Sequence, residues 1–168
     1  MLPHRLLLVR HAQAADAAVD AERPLTSRGE QRATAIGSWL AQARLAPDLA
    51  LVSPARRAAQ TWSLASASLT SGLRSVVDER IYENTVEGVL AAIHETPEDV
   101  RTLAVVGHNP SIGELAMVLD DGEGDEAAGR ALDAGFPAGG VAVFTVAGAF
   151  GELEPGGAAL SDFIVPGE

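Results

Sequence analysis

Short runs of consecutive apolar residues alternate along the chain with longer segments in which apolar residues recur every three or four positions. The clearest runs are residues 6–9, 49–52 and 103–106. A strand that is buried on both faces of a parallel sheet is apolar at successive positions, so each run predicts such a strand. Residues 76–77 predict a further short strand, and residues 141–146 predict a later strand at an edge of the sheet.

The segments between these runs have the apolar spacing of helices. The first helix is predicted to begin at a capping box formed by Ser27 and Glu30, and others follow at residues 86–93 and 112–119. Residues 122–140 predict a surface helix with loops. The alternation of strands and helices predicts an α/β fold, namely a three-layer α/β/α sandwich with a mostly parallel central sheet.

Length and composition limit the classes of protein further. A chain of 168 residues predicts one domain over residues 1–168. The formal net charge of −11 repels nucleic acids and anionic lipid, which disfavours both as partners. The absence of cysteine excludes a disulfide framework, a thiolate zinc site and a cysteine nucleophile. No apolar run approaches the roughly 18 residues of a membrane span, so we expect a cytoplasmic protein.

Polar side chains follow the three strongest predicted strands. The residues concerned are Arg10, His11, Ser53, Arg56, Arg57, His108 and Asn109. Ligands bind outside the carboxyl ends of the strands in open α/β sheets, so we expect these side chains to meet at one edge. Arginine supplies planar donors for phosphate oxygens, and histidine can act as a nucleophile. The sequence therefore predicts a phosphate site.

Two of these strand ends carry the same signal for a helix. Ser53 and Asn109 are predicted N-caps, and Pro54 and Pro110 are predicted first helical residues. Helices that begin there would direct free N–H groups and the positive end of the helix dipole toward a bound anion.

Four sequence elements occur in an order that is typical of one enzyme family. They are Arg10-His11-Ala12, Leu25-Thr26 with Gly29, Ser-Pro-Ala-Arg-Arg-Ala-Ala-Gln-Thr at 53–61, and Val-Gly-His-Asn-Pro at 106–110. Over residues 5 to 120 the chain resembles the histidine phosphatase (phosphoglycerate mutase-like) superfamily. The resemblance implies a phosphoglycerate mutase-like fold and a phosphatase that uses no cofactor and no metal ion.

The resemblance also implies a role for each matching residue. His11 is implied as the nucleophile that accepts the phosphoryl group, and His108 as the second catalytic histidine. Arg10, Arg57 and His108 are implied as ligands of the phosphoryl oxygens. The register of the motif selects Arg57 and not Arg56 as the phosphate ligand.

A general acid is less clearly marked in the sequence. Residues 80–83 resemble the family's element and nominate Glu83 as the acid, with a solvated loop charge as the alternative interpretation. Three carboxylates that lie close by in the sequence are competitors or surface charges. They are Asp78, Glu79 and Glu87.

The short chain resembles the small SixA-like phosphohistidine phosphatases. The segment between the second and third strands has room for two helices and a short strand, and not for the insertions that cap the site of larger relatives. We therefore expect a phosphorylated protein as substrate, through its phosphohistidine. A small phosphoester as substrate and a non-catalytic phospholigand-binding module remain the alternatives.

Other enzyme classes lack their motifs in this chain. There is no Gly-x-x-x-x-Gly-Lys-Ser/Thr of a P-loop, and Ser53 and Ser111 lack the Gly-x-Ser-x-Gly of a serine hydrolase. The first strand is followed by Arg-His and not by the Gly-x-Gly-x-x-Gly of a dinucleotide-binding fold. His4 and His94 have no partners at metal-ligand spacing, so we interpret them as surface residues.

Overall fold

The computed structural model describes residues 3–70 and 73–168, and six strands in these residues form one sheet. The strands are β1 (His4–Arg10), β2 (Leu49–Val52), β3 (Arg74–Val77), β4 (Thr102–Gly107), β5 (Val141–Val146) and β6 (Ala158–Ile164). Their order across the sheet is β3-β2-β4-β1-β5-β6. The first four run parallel, β5 is antiparallel to β1, and β6 is antiparallel to β5. The predicted mostly parallel sheet is confirmed.

Helices cover both faces of the sheet. They are α1 (Ser27–Gln42), α2 (Arg56–Ser66), α3 (Glu79–Glu83), α4 (Val86–His94), α5 (Ser111–Leu119) and α6 (Glu126–Asp133). Short 3₁₀ turns lie at Asp20–Glu22 and Phe150–Glu152. Helices α1 and α2 pack on one face, and α3 to α6 pack on the other, which gives the predicted three layers.

The side chains of β1 show why the apolar positions are consecutive. Leu6 and Leu8 point into the core under α4 and α5, whereas Leu7 and Val9 point into the core under α1 and α2. All four side chains are fully buried. Successive residues of a strand face opposite sides, so a central strand between two helical layers must be apolar at every position.

The predicted edge position of β5 is wrong. Strand β6 pairs along the outside of β5, and β5 therefore lies between β1 and β6 with its residues largely buried. The tail of the chain gave little signal because β6 carries Ser161 and Asp162 among its apolar residues and has a register shift against Val143 and Phe144. A bulged strand with polar positions does not show the regular pattern of apolar residues by which a strand is recognised in a sequence.

The starts of three helices also differ from the predictions. The N-cap of α1 is Thr26, whose hydroxyl oxygen accepts from the Gly29 N–H at 3.0 Å, and the predicted cap Ser27 is the first helical residue. Helix α2 begins only at Arg56, so Pro54 precedes the helix. Its predicted cap, Ser53, accepts instead from the Ala55 N–H.

Helix α5 begins at Ser111, one residue after the predicted start at Pro110. Asn109 still stabilises its first turn, because its side-chain oxygen accepts from the Gly113 N–H at 3.1 Å. Between β2 and β4 the chain forms three helices, α2, α3 and α4, where two were predicted. None of the helices in the described residues is long and apolar enough to span a lipid bilayer.

Candidate active site

The sheet order brings the three predicted strand ends together. Strand β4 lies between β1 and β2, with Arg10 opposite Gly107 and Val52 opposite Val106. The backbone continues this pairing beyond the strands, since the His11 N–H donates to the Gly107 carbonyl at 3.0 Å. The residues that follow the strands therefore meet at the carboxyl edge of the sheet. We refer to Arg10, His11, Arg57 and His108 as the central cluster.

The ring of His11 is held in one tautomer. Its Nδ1 lies 2.7 Å from the carbonyl oxygen of Ala12, which can only accept, so Nδ1 carries the proton. The other ring nitrogen, Nε2, therefore bears the lone pair in the neutral ring. His11 is buried, and burial together with the positive charges of Arg57, Arg10 and Arg23 lowers its pKa to about 4 despite the hydrogen bond to Ala12. His11 is consequently neutral at pH 7.

His108 lies beside His11, with the ring centroids 5.2 Å apart. Its Nε2 is 2.8 Å from the hydroxyl of Ser53, and its Nδ1 is buried without a hydrogen-bond partner in the described residues. Burial lowers the pKa of His108 to about 3, and the neighbouring His11 and Arg57 act in the same direction. Ser53 thus orients a second neutral imidazole toward the site.

The two arginines of the central cluster are fixed at their terminal nitrogens. Arg10 donates from Nη1 to the carbonyl of Phe136 at 2.9 Å, and Arg57 donates from Nη1 to the carbonyl of Asp20 at 2.8 Å. The Nε atoms of both arginines are buried and have no hydrogen-bond partner in the described part of the chain. Two oriented cations with unpaired donors suit an anion that has several oxygen atoms.

The contacts of Thr61 explain why the motif places a threonine four residues after Arg57. Its hydroxyl donates to the Arg57 carbonyl at 2.7 Å and accepts from the Ala12 N–H at 3.0 Å. One buried side chain thereby connects the first turns of α2 to the segment that carries His11. The preceding arginine, Arg56, is exposed on the same helix. Burial therefore selects Arg57, the same arginine that the register of the motif selects.

A glycine permits the close approach of α1 to the segment after β1. A Cβ atom on Gly29 would collide with the backbone carbonyl of Gln13. The same carbonyl oxygen accepts from the Thr26 N–H at 3.0 Å. The Leu-Thr-x-x-Gly element thus supports the segment that carries His11.

Glu83 does not join the central cluster. It is exposed at the last position of α3, and it makes no hydrogen bond or ion pair within residues 3–70 and 73–168. Its neighbour Tyr82 points inward instead, and its ring centroid lies 5.8 Å from that of His108. Among the competing carboxylates, Asp78 pairs with Arg80 at 2.7 Å. The acid role of Glu83 stays a prediction without a contact to support it.

Three residues that the sequence reasoning missed lie around the central cluster, and we refer to Asp20, Arg23 and Tyr82 as the outer cluster. The carboxylate of Asp20 accepts from Arg57 Nη2 at 3.1 Å and from the Tyr82 hydroxyl at 2.7 Å. Arg23 contacts the same carboxylate at 3.5 Å. The sequence could have indicated Tyr82, because it lies within residues 80–83, which resemble a family element. It could also have indicated Arg23, because this residue precedes Pro24 and the Leu25-Thr26 element. No sequence pattern indicated Asp20.

Histidines outside the site have structural partners. The ring of His4 packs against Phe150 at 5.1 Å, and His94 Nε2 lies 2.7 Å from the carbonyl of Leu153. No group of three or more histidine, aspartate or glutamate side chains in the described residues is arranged to hold a metal ion.

Comparison with known sequences identifies relatives. A family model described as Histidine phosphatase superfamily (branch 1) matches residues 6–114. The phosphohistidine phosphatase SixA of Escherichia coli K12 is 31% identical over 122 residues, which cover 71% of this chain and 76% of SixA. Residues 6–114, which the family model matches, contain the whole central cluster. These similarities support a phosphatase function.

Solved structures share the fold over nearly the whole chain. A candidate phosphohistidine phosphatase SixA from Nakamurella multipartitia is 32% identical with a TM-score of 0.87, covering 98% of this chain and 97% of that one. The protein histidine phosphatase SixA complexed with tungstate is 27% identical with a TM-score of 0.77, covering 96% and 97%. The α/β fold is the phosphoglycerate mutase-like fold of these proteins.

Proposed function

Because the chain belongs to the histidine phosphatase superfamily, we propose that it hydrolyses protein phosphohistidine through a covalent phosphoryl intermediate on His11. One observation carries this proposal. The Nδ1–H bond to Ala12 leaves the lone pair of a neutral imidazole on Nε2, next to two arginines with unpaired Nε donors. That combination provides a nucleophile and a binding site for the group it attacks.

The first half of the reaction transfers the phosphoryl group to His11. The Nε2 lone pair attacks phosphorus in line, a P–N bond forms to His11, and the bond from phosphorus to the leaving nitrogen breaks. The low pKa of His11, about 4, keeps its lone pair available at neutral pH. An imidazole leaves with less help from an acid than an alkoxide does, so phosphohistidine suits this site.

The second half returns the free enzyme. Water attacks phosphorus, the bond to Nε2 breaks, and inorganic phosphate is released. In both halves negative charge gathers on the three equatorial phosphoryl oxygens, where oriented donors stabilise it most. We assign this role to Arg10 and Arg57, with His108 as a further hydrogen-bonding group. No step requires a metal ion, because the guanidinium groups supply the charge.

The proposed substrate rests on the relatives and on the openness of the site. SixA of Escherichia coli is a phosphohistidine phosphatase. The Asp20 side chain beside the central cluster is 54% exposed, so a histidine that projects from a protein surface could approach. A small phosphoester would also enter, and direct comparison of the two substrate classes decides between them.

The test is a comparison of turnover on three substrates. Purified protein is incubated with a phosphohistidine peptide, an aryl phosphate and 3-phosphoglycerate, with and without EDTA. We expect phosphate release from the peptide to have the highest kcat/KM and to be insensitive to EDTA. His11→Ala should abolish release, whereas His94→Gln, which changes a histidine outside the site, should retain it.

Three other outcomes would contradict the proposal, each in a different way. Turnover of the small esters alone would retain the nucleophile and change the function to that of a metabolite phosphatase. Binding of phosphate without turnover of any substrate would favour a phospholigand-binding module. Loss of activity in EDTA would contradict the metal-independent mechanism.

A further inference from the structure

The carboxylate of Asp20 occupies a distinctive position in the outer cluster. It lies on the short 3₁₀ turn Asp20–Glu22, and it accepts hydrogen bonds from Arg57 on α2 and from Tyr82 on α3. In residues 3–70 and 73–168, no other carboxylate is hydrogen-bonded to a member of the central cluster. An acid or base that serves this site must come from a side chain within reach of it.

The carboxylates of α3 and its cap contact other groups or make no hydrogen bond to the central cluster in the described residues. Asp78 caps α3 through the Arg80 N–H and also pairs with the Arg80 guanidinium, which in turn contacts Glu95. Glu79 and Glu83 are both exposed on α3. The structure therefore offers Asp20 as the carboxyl group beside the phosphate-binding arginine.

We propose that Asp20 is the proton donor to the leaving group and then the base that activates water, the role predicted from the sequence for Glu83. This proposal rests on the proposed function and assigns a further residue to the same site. The side chain of Arg57 is 8% exposed, whereas that of the Asp20 bound to it is 54% exposed, so the carboxylate lies on the solvent side of the phosphate-binding arginine.

The groups around Asp20 keep its carboxylate ionised in the free protein, and a bound phosphoryl group changes this balance. In the free protein its hydrogen bond from Tyr82, followed by its contacts with Arg57 and Arg23, lowers its pKa to about 2. A bound phosphoryl group competes for Arg57 and places negative oxygens next to the carboxylate, and both changes raise the pKa of Asp20. A phosphomonoester has a second pKa of roughly 6, so its monoanion can deliver the shared proton on binding.

The proton balances over the two half-reactions. In the first, the P–N bond to His11 forms, the bond to the leaving group breaks, and the leaving atom takes the proton from the Asp20 carboxyl. In the second, the ionised carboxylate takes a proton from water as the water oxygen attacks phosphorus. The bond to Nε2 then breaks and the electron pair returns to His11. When phosphate leaves, Asp20 returns to the low pKa of the free protein and releases this proton, and the monoanion of the next substrate supplies it again.

Tyr82 acts through Asp20 as a positioning residue. Its hydroxyl donates to the carboxylate at 2.7 Å, and its ring lies edge-on to His108. Asn84, two residues after Tyr82, connects α3 to the segment after β4, because its side chain donates to the Asn109 carbonyl and accepts from the Ser111 N–H. These contacts fix Tyr82, and through it the carboxylate, relative to His108.

The decisive experiment measures kcat/KM for a series of phosphate monoesters whose leaving groups range from acidic phenols to alkyl alcohols. The enzymes compared are wild type, Asp20→Asn, Glu83→Gln and Glu22→Gln, the last being an exposed control on the same turn. Loss of a general acid costs about 10²–10⁴-fold where the leaving group needs a proton. We expect a loss in this range for Asp20→Asn on alkyl esters and little loss on the most acidic phenols.

The remaining outcomes contradict the proposal. An equal loss by Asp20→Asn on every ester would mean that Asp20 only holds Arg57 in place. A leaving-group-dependent loss in Glu83→Gln instead would restore the sequence-based assignment.

Two further variants are expected to support the proposal. Asp20→Glu should recover part of the activity on alkyl esters, and Tyr82→Phe should show a weaker form of the leaving-group dependence seen in Asp20→Asn.

Failure of this proposal can be separated from failure of the proposed function. Asp20→Asn should still accumulate a phosphoryl group on His11 from an aryl phosphate, because the good leaving group needs no acid. Absence of that intermediate in wild type as well would contradict the nucleophile itself. If the intermediate forms and Asp20→Asn shows the same leaving-group dependence as wild type, the role of Asp20 is contradicted and the nucleophile is retained.

Discussion

The central and outer clusters differ in how the fold builds them. Residues of the central cluster end β1, directly follow β1 or β4, or lie in the first turn of α2, and all but Arg10 are buried. The outer cluster comes from a loop, a single 3₁₀ turn and the five-residue helix α3. In the mechanism we propose, the phosphoryl group is thus bound by the more buried part of the site, and the proton is transferred by the more exposed part.

This difference has a chemical consequence. In the proposed mechanism the arginines and histidines of the central cluster act on the phosphoryl group itself, which is the same in every substrate. The outer cluster is proposed to act on the leaving group, which is what differs between a phosphohistidine and an alkyl ester. Changes in the outer cluster are therefore expected to alter which substrates react well, and changes in the central cluster to reduce all reactions together.

The largest expected effect that separates the two clusters is that of Arg57→Ala. Loss of one oriented charged donor costs about 10²–10³-fold in rate, and we expect this loss to be equal across leaving groups. Arg56→Ala is the matched control, since Arg56 is the exposed neighbour on the same helix. Steady-state kinetics on the ester series measures both. Equal losses in the two variants would mean that the motif register is wrong.

The second effect is a dependence of stability on pH that comes from the central cluster. Burial keeps the folded-state pKa values of His11 and His108 at about 4 and about 3, below the unfolded value of about 6.5. The unfolded chain therefore binds more protons between these values, and the free energy of unfolding falls as pH falls below about 6.5. Each histidine contributes about 1.4 kcal/mol per pH unit within its window.

Urea unfolding between pH 7 and pH 4 measures this slope. His11→Gln removes one of the two groups and should reduce the slope, whereas Tyr82→Phe in the outer cluster should leave it unchanged. A free energy of unfolding that is constant over this range in wild type would contradict the buried, neutral state of the two histidines.

The smallest expected effect is on stability, and it compares a hydrogen bond that supports the central cluster with one in the outer cluster. Thr61→Val leaves the buried N–H of Ala12 without its acceptor, which costs about 1–3 kcal/mol of stability. Tyr82→Phe removes a hydroxyl at the exposed edge of the site and should change stability by less than about 0.5 kcal/mol. Chemical denaturation of both variants tests the contrast. Equal stability changes would mean that the outer cluster is as integral to the fold as the central one.

The sequence predicted the sheet and the central cluster because both depend on the same buried strands. Three apolar runs identified β1, β2 and β4, and the residues that follow them had to meet once the strands were parallel neighbours. Strand β6 was missed because its polar residues and its register shift hide the alternation. The helix starts were misplaced because Ser53 accepts from the nearby Ala55 N–H before α2 begins, a local contact that competes with a cap.

The outer cluster was harder to predict for a physical reason. Asp20 reaches Arg57 and Tyr82 across 37 and 62 positions of the sequence, and the contact depends on how an irregular loop folds over the sheet. Glu83 and Tyr82 are adjacent in a short helix, so a rotation of about 100° per residue decides which of them faces His108. Motif spacing alone does not contain that information.

The most direct test of the account is to locate the phosphoryl group in the trapped intermediate. Wild type is mixed with an aryl phosphate, quenched in alkali and examined by phosphorus NMR and peptide mapping, with His11→Ala and His94→Gln in parallel. The hydrogen bond of Nδ1 to Ala12 predicts a phosphoryl group on Nε2 of His11, lost only in His11→Ala. A phosphoryl group on Nδ1, on another residue, or no covalent intermediate in a protein that still turns over would contradict the account.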